Sequence, residues 1–338
     1  MTNLKSLFAS IGLSILIVFL LFGFHSSGKT NLKVFHAGSL SIPFNQMEKK
    51  FEATHPDVDV QLEAHGSVIA VRQVTEVGKR GDVVAVADYS LIPSMMTPDY
   101  TDFYLQFAQN RMVLAYTDRS KLSGKINSDN WYNILSVPEV RYGFSNPNMD
   151  PCGYRSLMVM QLAELHYHDA KILAELVLEN SSITAEEVNA NHRIHIPEAL
   201  NPDTRQITIR NKEVDLVALL QSGGLDFAFE YMSIARQHGL KSITLPEQID
   251  LSSTEYADTY KKVSVKTSDG NVKTAKPIVY GITIPSSARH PELAREFVQF
   301  IISEQGRSVF SELGQPPIVP PRGFGKVPAD LEGVEQDN

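Results

Sequence analysis

A chain of 338 residues is too long for one small core and points to two domains or one large one. Its 43% hydrophobic and 21% charged residues exclude both a disordered chain and one that spans membranes throughout. A formal net charge of −8 argues against nucleic-acid binding, which needs a basic surface, but leaves small anions open because local donors hold those.

The first 30 residues differ from the rest. Lys5 gives a weakly positive start, Leu7 to Phe24 is an uncharged apolar run, and His25 to Lys29 is polar. This reads as a signal peptide or an N-terminal membrane anchor, which places the remainder outside the cytoplasmic membrane. The run is just long enough to span, so cleaved and anchored forms both stay open. No cysteine follows the run, so it carries no lipoprotein signal. Cys152 is the only cysteine, so no intrachain disulfide can form and stability must come from a full-sized core.

From residue 31 short apolar runs alternate with helical periods. Leu32 to His36 is a predicted strand, Ile42 to His55 a helix with Ile42, Met47, Phe51 and Ala53 toward one side, and Pro56 ends it. Val58 to Glu63 is a strand, Val68 to Gly78 a helix, Val83 to Ala87 a buried strand. That order implies a parallel sheet with helices on its faces. A second series starts at the strand Arg111 to Tyr116. Val140 to Phe144 is a strand and Gly153 to about Leu165 a strongly apolar helix. Residues 180–204 read as irregular surface. Gln206 to Arg210, the helix Glu213 to Gln221 and the strand Asp226 to Tyr231 form another β-α-β unit. Residues 247–278 are polar, a loop or hairpin excursion, and a strand near 279–284 and the helix Pro291 to Ser303 follow. Two α/β series imply two lobes with a cleft between them. The first covers residues 31–112, with about 280–338 returning to it, and the second covers 113–279.

In open α/β sheets ligands gather at the carboxyl ends of strands, where helices begin. Those corners share a chemistry here. Gly38-Ser39 follows the first strand and Gly66-Ser67 the second; Asp150-Pro151-Cys152-Gly153 follows the Arg141 strand. Gly-Ser at a helix start offers backbone N–H groups, a hydroxyl and room for close approach. Each serine is also readable as an ordinary N-cap, as is Asp150 before Pro151, and Glu213 in a first turn is favoured by the helix dipole alone.

The strings "VFHAGSLSIPFNQMEKKFEATHPDVDVQLEAHGSV", "GDVVAVADYSLIP", "NPNMDPCGYRS" and "GGLDFAFEYMSIA" resemble the molybdate/tungstate-binding protein family of ABC importers, in its largely archaeal branch. The resemblance runs from about Leu32 to about Pro321. It implies a type II periplasmic-binding-protein fold: two α/β lobes, a two-strand hinge and closure over one oxyanion. It implies that Ser39, with the backbone around Gly38, and Ser67 donate to oxo groups from the first lobe. From the second lobe it implies Asp150, the backbone at Pro151-Cys152-Gly153, Glu213 and Tyr231. Asp150 and Glu213 match the two carboxylates that bind the metal of tungstate or molybdate and raise it toward six-coordination. Glu230 is the rival for the second place; it could instead pair with Arg155 or Arg210.

A carboxylate beside a dianion is repelled by several kcal/mol in a low-dielectric cleft, roughly as Coulomb's law gives. Mo(VI) and W(VI) are hard centres that accept extra oxygen ligands, whereas sulfate and phosphate centres do not. The carboxylates therefore both attract the metal oxyanion and reject the abundant tetrahedral anions. The resemblance also implies no cofactor, no enzymatic activity, a monomer, the membrane subunits of an ABC permease as partners, and a place at the outer face of the cytoplasmic membrane. An enzyme reading finds no nucleophile elbow, P-loop or HExxH motif, and no histidine lies close to Cys152 in sequence. His36 and His65 lack metal-site spacing.

Overall fold

The computed structural model describes residues 28–337, so nearly all of the expected signal peptide or anchor lies outside the described residues. Among the described residues no helix is long and apolar enough to cross a membrane.

The chain enters a mixed sheet through β1 (Thr30–Ala37), β2 (Val58–His65) and β3 (Val83–Val86), which pair in parallel with β1 between the other two. Helices α1 (Ser41–Thr54) and α2 (Ser67–Thr75) make the two crossovers. This half follows the predicted β-α-β-α-β order. The other half is antiparallel: β14 (Val279–Thr283) pairs with β3, β4 (Phe103–Gln109) with β14, and β15 (Pro317–Gly325) with β4. The purely parallel sheet is thus corrected, because strands from the far end of the chain return to it. Edge strand β16 (Glu335–Gln336) completes the sheet.

A second sheet has the order β11 (Lys241–Thr244), β5 (Met112–Tyr116), β10 (Phe227–Tyr231), β6 (Tyr142–Ser145), β9 (Ile207–Arg210). A third consists of β13 (Val272–Thr274), β12 (Val263–Lys266), β8 (Asn191–His195) and β7 (Thr184–Val188). This third sheet corrects the expectation that residues 180–204 are irregular. All five residues of β7 are exposed and β8 buries only Ile194, so neither strand carries an apolar alternation. Their partner β12 is about seventy residues further on, pairing Val263 with His192.

The sheets have separate cores. Phe44, Phe51, Phe297 and Phe310 pack over the first sheet from α1, α6 (Pro291–Ile302) and α7 (Glu304–Glu312). The Phe51 and Phe297 rings meet edge to face at 5.1 Å, an arrangement worth about 1 kcal/mol beyond area burial. The second core is built on α3 (Pro151–Tyr167), which lies between the second sheet and β12 of the third. Burial on both sides explains why α3 is apolar nearly all round. The chain crosses between the first and second sheets at residues 110–111 and returns at 275–278. The crossings touch, with the Asn110 N–H donating to the Ile278 carbonyl at 2.9 Å.

The start of α3 is pressed against the end of β6. A Cβ at Gly153 would collide with the Ser145 carbonyl oxygen, so only glycine allows this approach. Gly153→Ala is therefore expected to destabilise the protein by about 2 kcal/mol in chemical denaturation, the range for overpacking. An unchanged midpoint would contradict this contact.

Candidate functional site

A cavity of about 570 Å³ opens between the first and second sheets, at the carboxyl ends of β1, β2, β6 and β10. Gly38, Ser39, Gly66 and Ser67 line one wall, and Asp150, Pro151, Arg155, Glu213 and Tyr231 the other. Asn110, Ile278 and Tyr280 lie at its base, beside the two crossings. A recess of similar size around Lys33, Lys79, Arg80 and Arg289 lies beside the opening residues of β1 instead, not at the carboxyl ends of the strands.

Neither serine caps its helix. Gly38–Leu40 is a single 3-10 turn without a side-chain cap, and Gly66 is the N-cap residue of α2, with Ser67 its first helical residue. The N-cap reading of Ser39 and Ser67 is thus corrected. The Ser67 Oγ accepts the Ala87 N–H at 3.1 Å, and the Ser39 Oγ accepts from the Tyr280 hydroxyl at 3.3 Å. The Tyr231 hydroxyl accepts from Arg155 Nη1 at 2.5 Å. Each hydroxyl oxygen is thereby held from behind by a protein donor, and its own hydrogen stays available to the cavity.

On the opposite wall Asp150 caps α3 as its position before Pro151 predicts, with Oδ1 accepting the Cys152 N–H at 2.9 Å. Its Oδ2 accepts the Glu213 N–H at 2.7 Å, the first residue of α4 (Glu213–Ser222). One carboxylate thus joins two helix N-termini, whose dipoles favour its charge. Glu213 behaves differently. Burial, then the hydrogen-bonded Asp150 carboxyl, pushes its pKa up to about 8, so at neutral pH it keeps its proton in the unloaded cleft.

Glu230 and Cys152 are not brought to the cavity wall. Glu230 is fully buried, and neither carboxyl oxygen has a hydrogen-bond partner among the described residues. Burial, then nearby Glu213 and Asp150, pushes its pKa well up and leaves it neutral. Ala228 of the same strand packs toward α4, whereas Phe227, Phe229 and Tyr231 join the α3 core, as the period of two predicts. Arg155 is turned to Tyr231, and Arg210 Nη1 to the Ile209 carbonyl at 3.1 Å, so neither pairs with Glu230. The Cys152 thiol is buried with Sγ 3.6 Å from the Phe229 carbonyl, and burial raises its pKa well above the usual range, unlike a nucleophile. Its N–H is taken by Asp150, and that of Gly153 by the Asp150 carbonyl at 3.1 Å. The backbone expected to face a ligand is therefore spent inside the cap of α3.

His65 lines the cavity, with Nε2 3.7 Å from Glu63 Oε2, and His36 is buried with Nδ1 2.9 Å from the Ala37 carbonyl. Among the described residues no group of three or more histidine, cysteine or acidic side chains is disposed to hold a metal ion. Sequence reasoning missed Arg155 as a wall residue, although it lies four positions after Pro151 and hence on the same helix face. It also missed Asn110 and Tyr280, whose buried positions at a sheet junction leave no local signal.

The profile of the bacterial extracellular solute-binding proteins matches residues 32–314. The chain belongs to that family. The molybdate/tungstate-binding protein WtpA of Pyrococcus abyssi is 48% identical over 337 residues, covering 95% of this chain and 96% of its own. The WtpA of Thermococcus kodakarensis is 46% identical over 317 residues, covering 91% and 88%. An uncharacterized solute-binding protein of Methanoculleus marisnigri is 49% identical over 309 residues, covering 90% and 87%. Among solved structures, an ABC-transporter substrate binding domain from Clostridium difficile superposes with a TM-score of 0.57 at 17% identity, covering 85% of this chain and 99% of its own. The sulfate-binding protein SubI of Mycobacterium tuberculosis gives 0.51 at 14% identity, covering 86% and 88%. These structural likenesses speak for the fold alone, and they agree with the expected periplasmic-binding-protein architecture.

Because Glu213 has a folded-state pKa above its ordinary 4.5, its contribution to stability is complete below about 4.5 and is lost as pH rises through about 8. The unloaded protein is expected to melt at progressively lower temperature from about pH 4.5 to about pH 8, and Glu213→Gln to flatten that slope. Equal slopes in both proteins would remove Glu213 as the proton holder.

Proposed function

We propose that this chain is the extracytoplasmic solute-binding protein of an ABC importer, capturing tungstate or molybdate and presenting it to the permease subunits. The observation that carries the reading is the pairing across one cavity of hydroxyls poised to donate with the two carboxyl groups of Asp150 and Glu213. Kinship to the WtpA proteins, which by name bind molybdate and tungstate, supports the choice of ligand.

In this reading Ser39, Ser67 and Tyr231 donate to the oxo groups, and Arg155 supplies positive charge behind Tyr231. Asp150 and Glu213 approach the metal itself as hard oxygen ligands. Glu213 gives up its proton on ligation, and Asp150 is already aimed by the two N–H groups it accepts. Sulfate and phosphate, whose centres accept no further ligand, meet the Asp150 carboxylate as uncompensated repulsion. The lobes we assign are residues 31–112 with about 280–338, and residues 113–279, supported by the separate sheets and cores. Rotation about the crossings at 110–111 and 275–278 closes the walls over the anion, and the closed form is what the permease meets. Export, with the N-terminal segment cleaved or kept as an anchor, follows from this role, and the protein acts as a monomer.

Calorimetric titration of the full chain with tungstate, molybdate, sulfate and phosphate tests the assignment. Tungstate and molybdate are expected to bind tightly and the other two to give no heat; equal binding of sulfate would sink it. Glu213→Gln, alone and combined with Asp150→Asn, is expected to weaken tungstate on the order of 100-fold, about 3 kcal/mol for the lost ligand. The same variants should narrow the gap to sulfate. Unchanged tungstate affinity would take both carboxylates out of the site.

A further inference from the structure

Tyr280, on β14, is 1% exposed, and its hydroxyl has three neighbours within hydrogen-bonding distance. Asn110 Nδ2 donates to it at 3.2 Å and Gln315 Nε2 at 3.0 Å, while the third neighbour is Ser39 Oγ at 3.3 Å. The orientation of both amides is fixed by backbone partners. The Asn110 Oδ1 accepts the Arg111 N–H at 2.9 Å, so its nitrogen faces Tyr280. The Gln315 Nε2 also donates to the Ser39 carbonyl at 2.9 Å, which can only accept. A phenol has two acceptor sites and one hydrogen. With both acceptor sites filled by amides, the Tyr280 hydrogen has one direction left, toward Ser39.

We propose that Tyr280, held by Asn110 and Gln315, is a positioning residue that fixes Ser39 as a hydrogen-bond donor to the oxyanion. The proposal rests on the oxyanion reading above. The Ser39 Oγ accepts from Tyr280, which leaves its own hydrogen free to turn to the cavity. Ser67 is set in the same sense by the Ala87 N–H. A fully deprotonated tetrahedral dianion satisfies both donors. Asn110 also donates to Ser233 Oγ at 2.8 Å, and its N–H bonds to Ile278, so the relay is anchored where the chain crosses between lobes. The polarity is thereby built into the hinge region and does not depend on loop ordering at the cleft mouth.

The test is a double-mutant cycle on the full chain, titrating sodium tungstate into wild type, Tyr280→Phe, Ser39→Ala and the double variant. Tyr280→Phe keeps the ring and its packing. It is expected to weaken tungstate about tenfold in the wild-type background and less than about twofold in the Ser39→Ala background. Gln315→Met, which removes one of the two amide donors, is expected to show a smaller loss that also vanishes without Ser39. Equal losses in both backgrounds overturn the relay. Wild-type protein that binds tungstate while the cycle is additive refutes the relay alone; wild-type protein that binds no oxyanion refutes both it and the functional reading.

Discussion

A carboxylate facing a dianion in a half-dry cleft is repelled unless something electropositive stands between them, and the arrangement of this protein follows from that constraint. Asp150 sits on two helix N-termini, taking the Cys152 and Glu213 N–H groups. Glu213 avoids a second charge by keeping its proton, at the cost of an elevated pKa. Glu230, deeper still and without partners among the described residues, stays neutral by burial. A high-valent metal centre is the kind of guest that repays both exposed carboxyls at once, because it is electropositive and can take further oxygen ligands.

The opposite wall solves the complementary problem. Hydroxyls donate or accept, and an anion site needs them to donate. Ser67 is polarised by the Ala87 N–H, Tyr231 by Arg155, and Ser39 by Tyr280. Each of those supports belongs to a rigid element: the end of β3, the first turns of α3, and β14 at the crossing. The scaffold thereby fixes the polarity before a ligand arrives, which limits what must be ordered on binding.

The strand-to-helix corners are legible in the sequence because Gly-Ser, Gly-Ser and Asp-Pro are local signatures, and residues 38–39, 66–67 and 150–151 all reach one cavity. The parallel half of the first sheet is legible for the same reason, since β1, β2 and β3 are joined by short helices with clear apolar faces. Long-range facts are not. The return of β14 and β15 beside β4 links residues about two hundred positions apart, and β7 to β8 carry too few buried side chains to betray a sheet. What each site hydroxyl bonds to is also hidden: Ser39 reads as an N-cap, yet its partner lies 241 residues away. Cys152 illustrates the opposite error, where a residue inside the right motif turns its side chain into the core and its N–H into a cap.

The central claim is that carboxylate oxygens reach the metal of the bound oxyanion, and X-ray absorption at the tungsten edge reads that coordination directly. The account predicts six oxygen neighbours in the loaded protein, four short oxo distances and two longer ones that disappear when Asp150 and Glu213 are replaced by their amides. Four equal distances, unchanged from free tungstate, would contradict it.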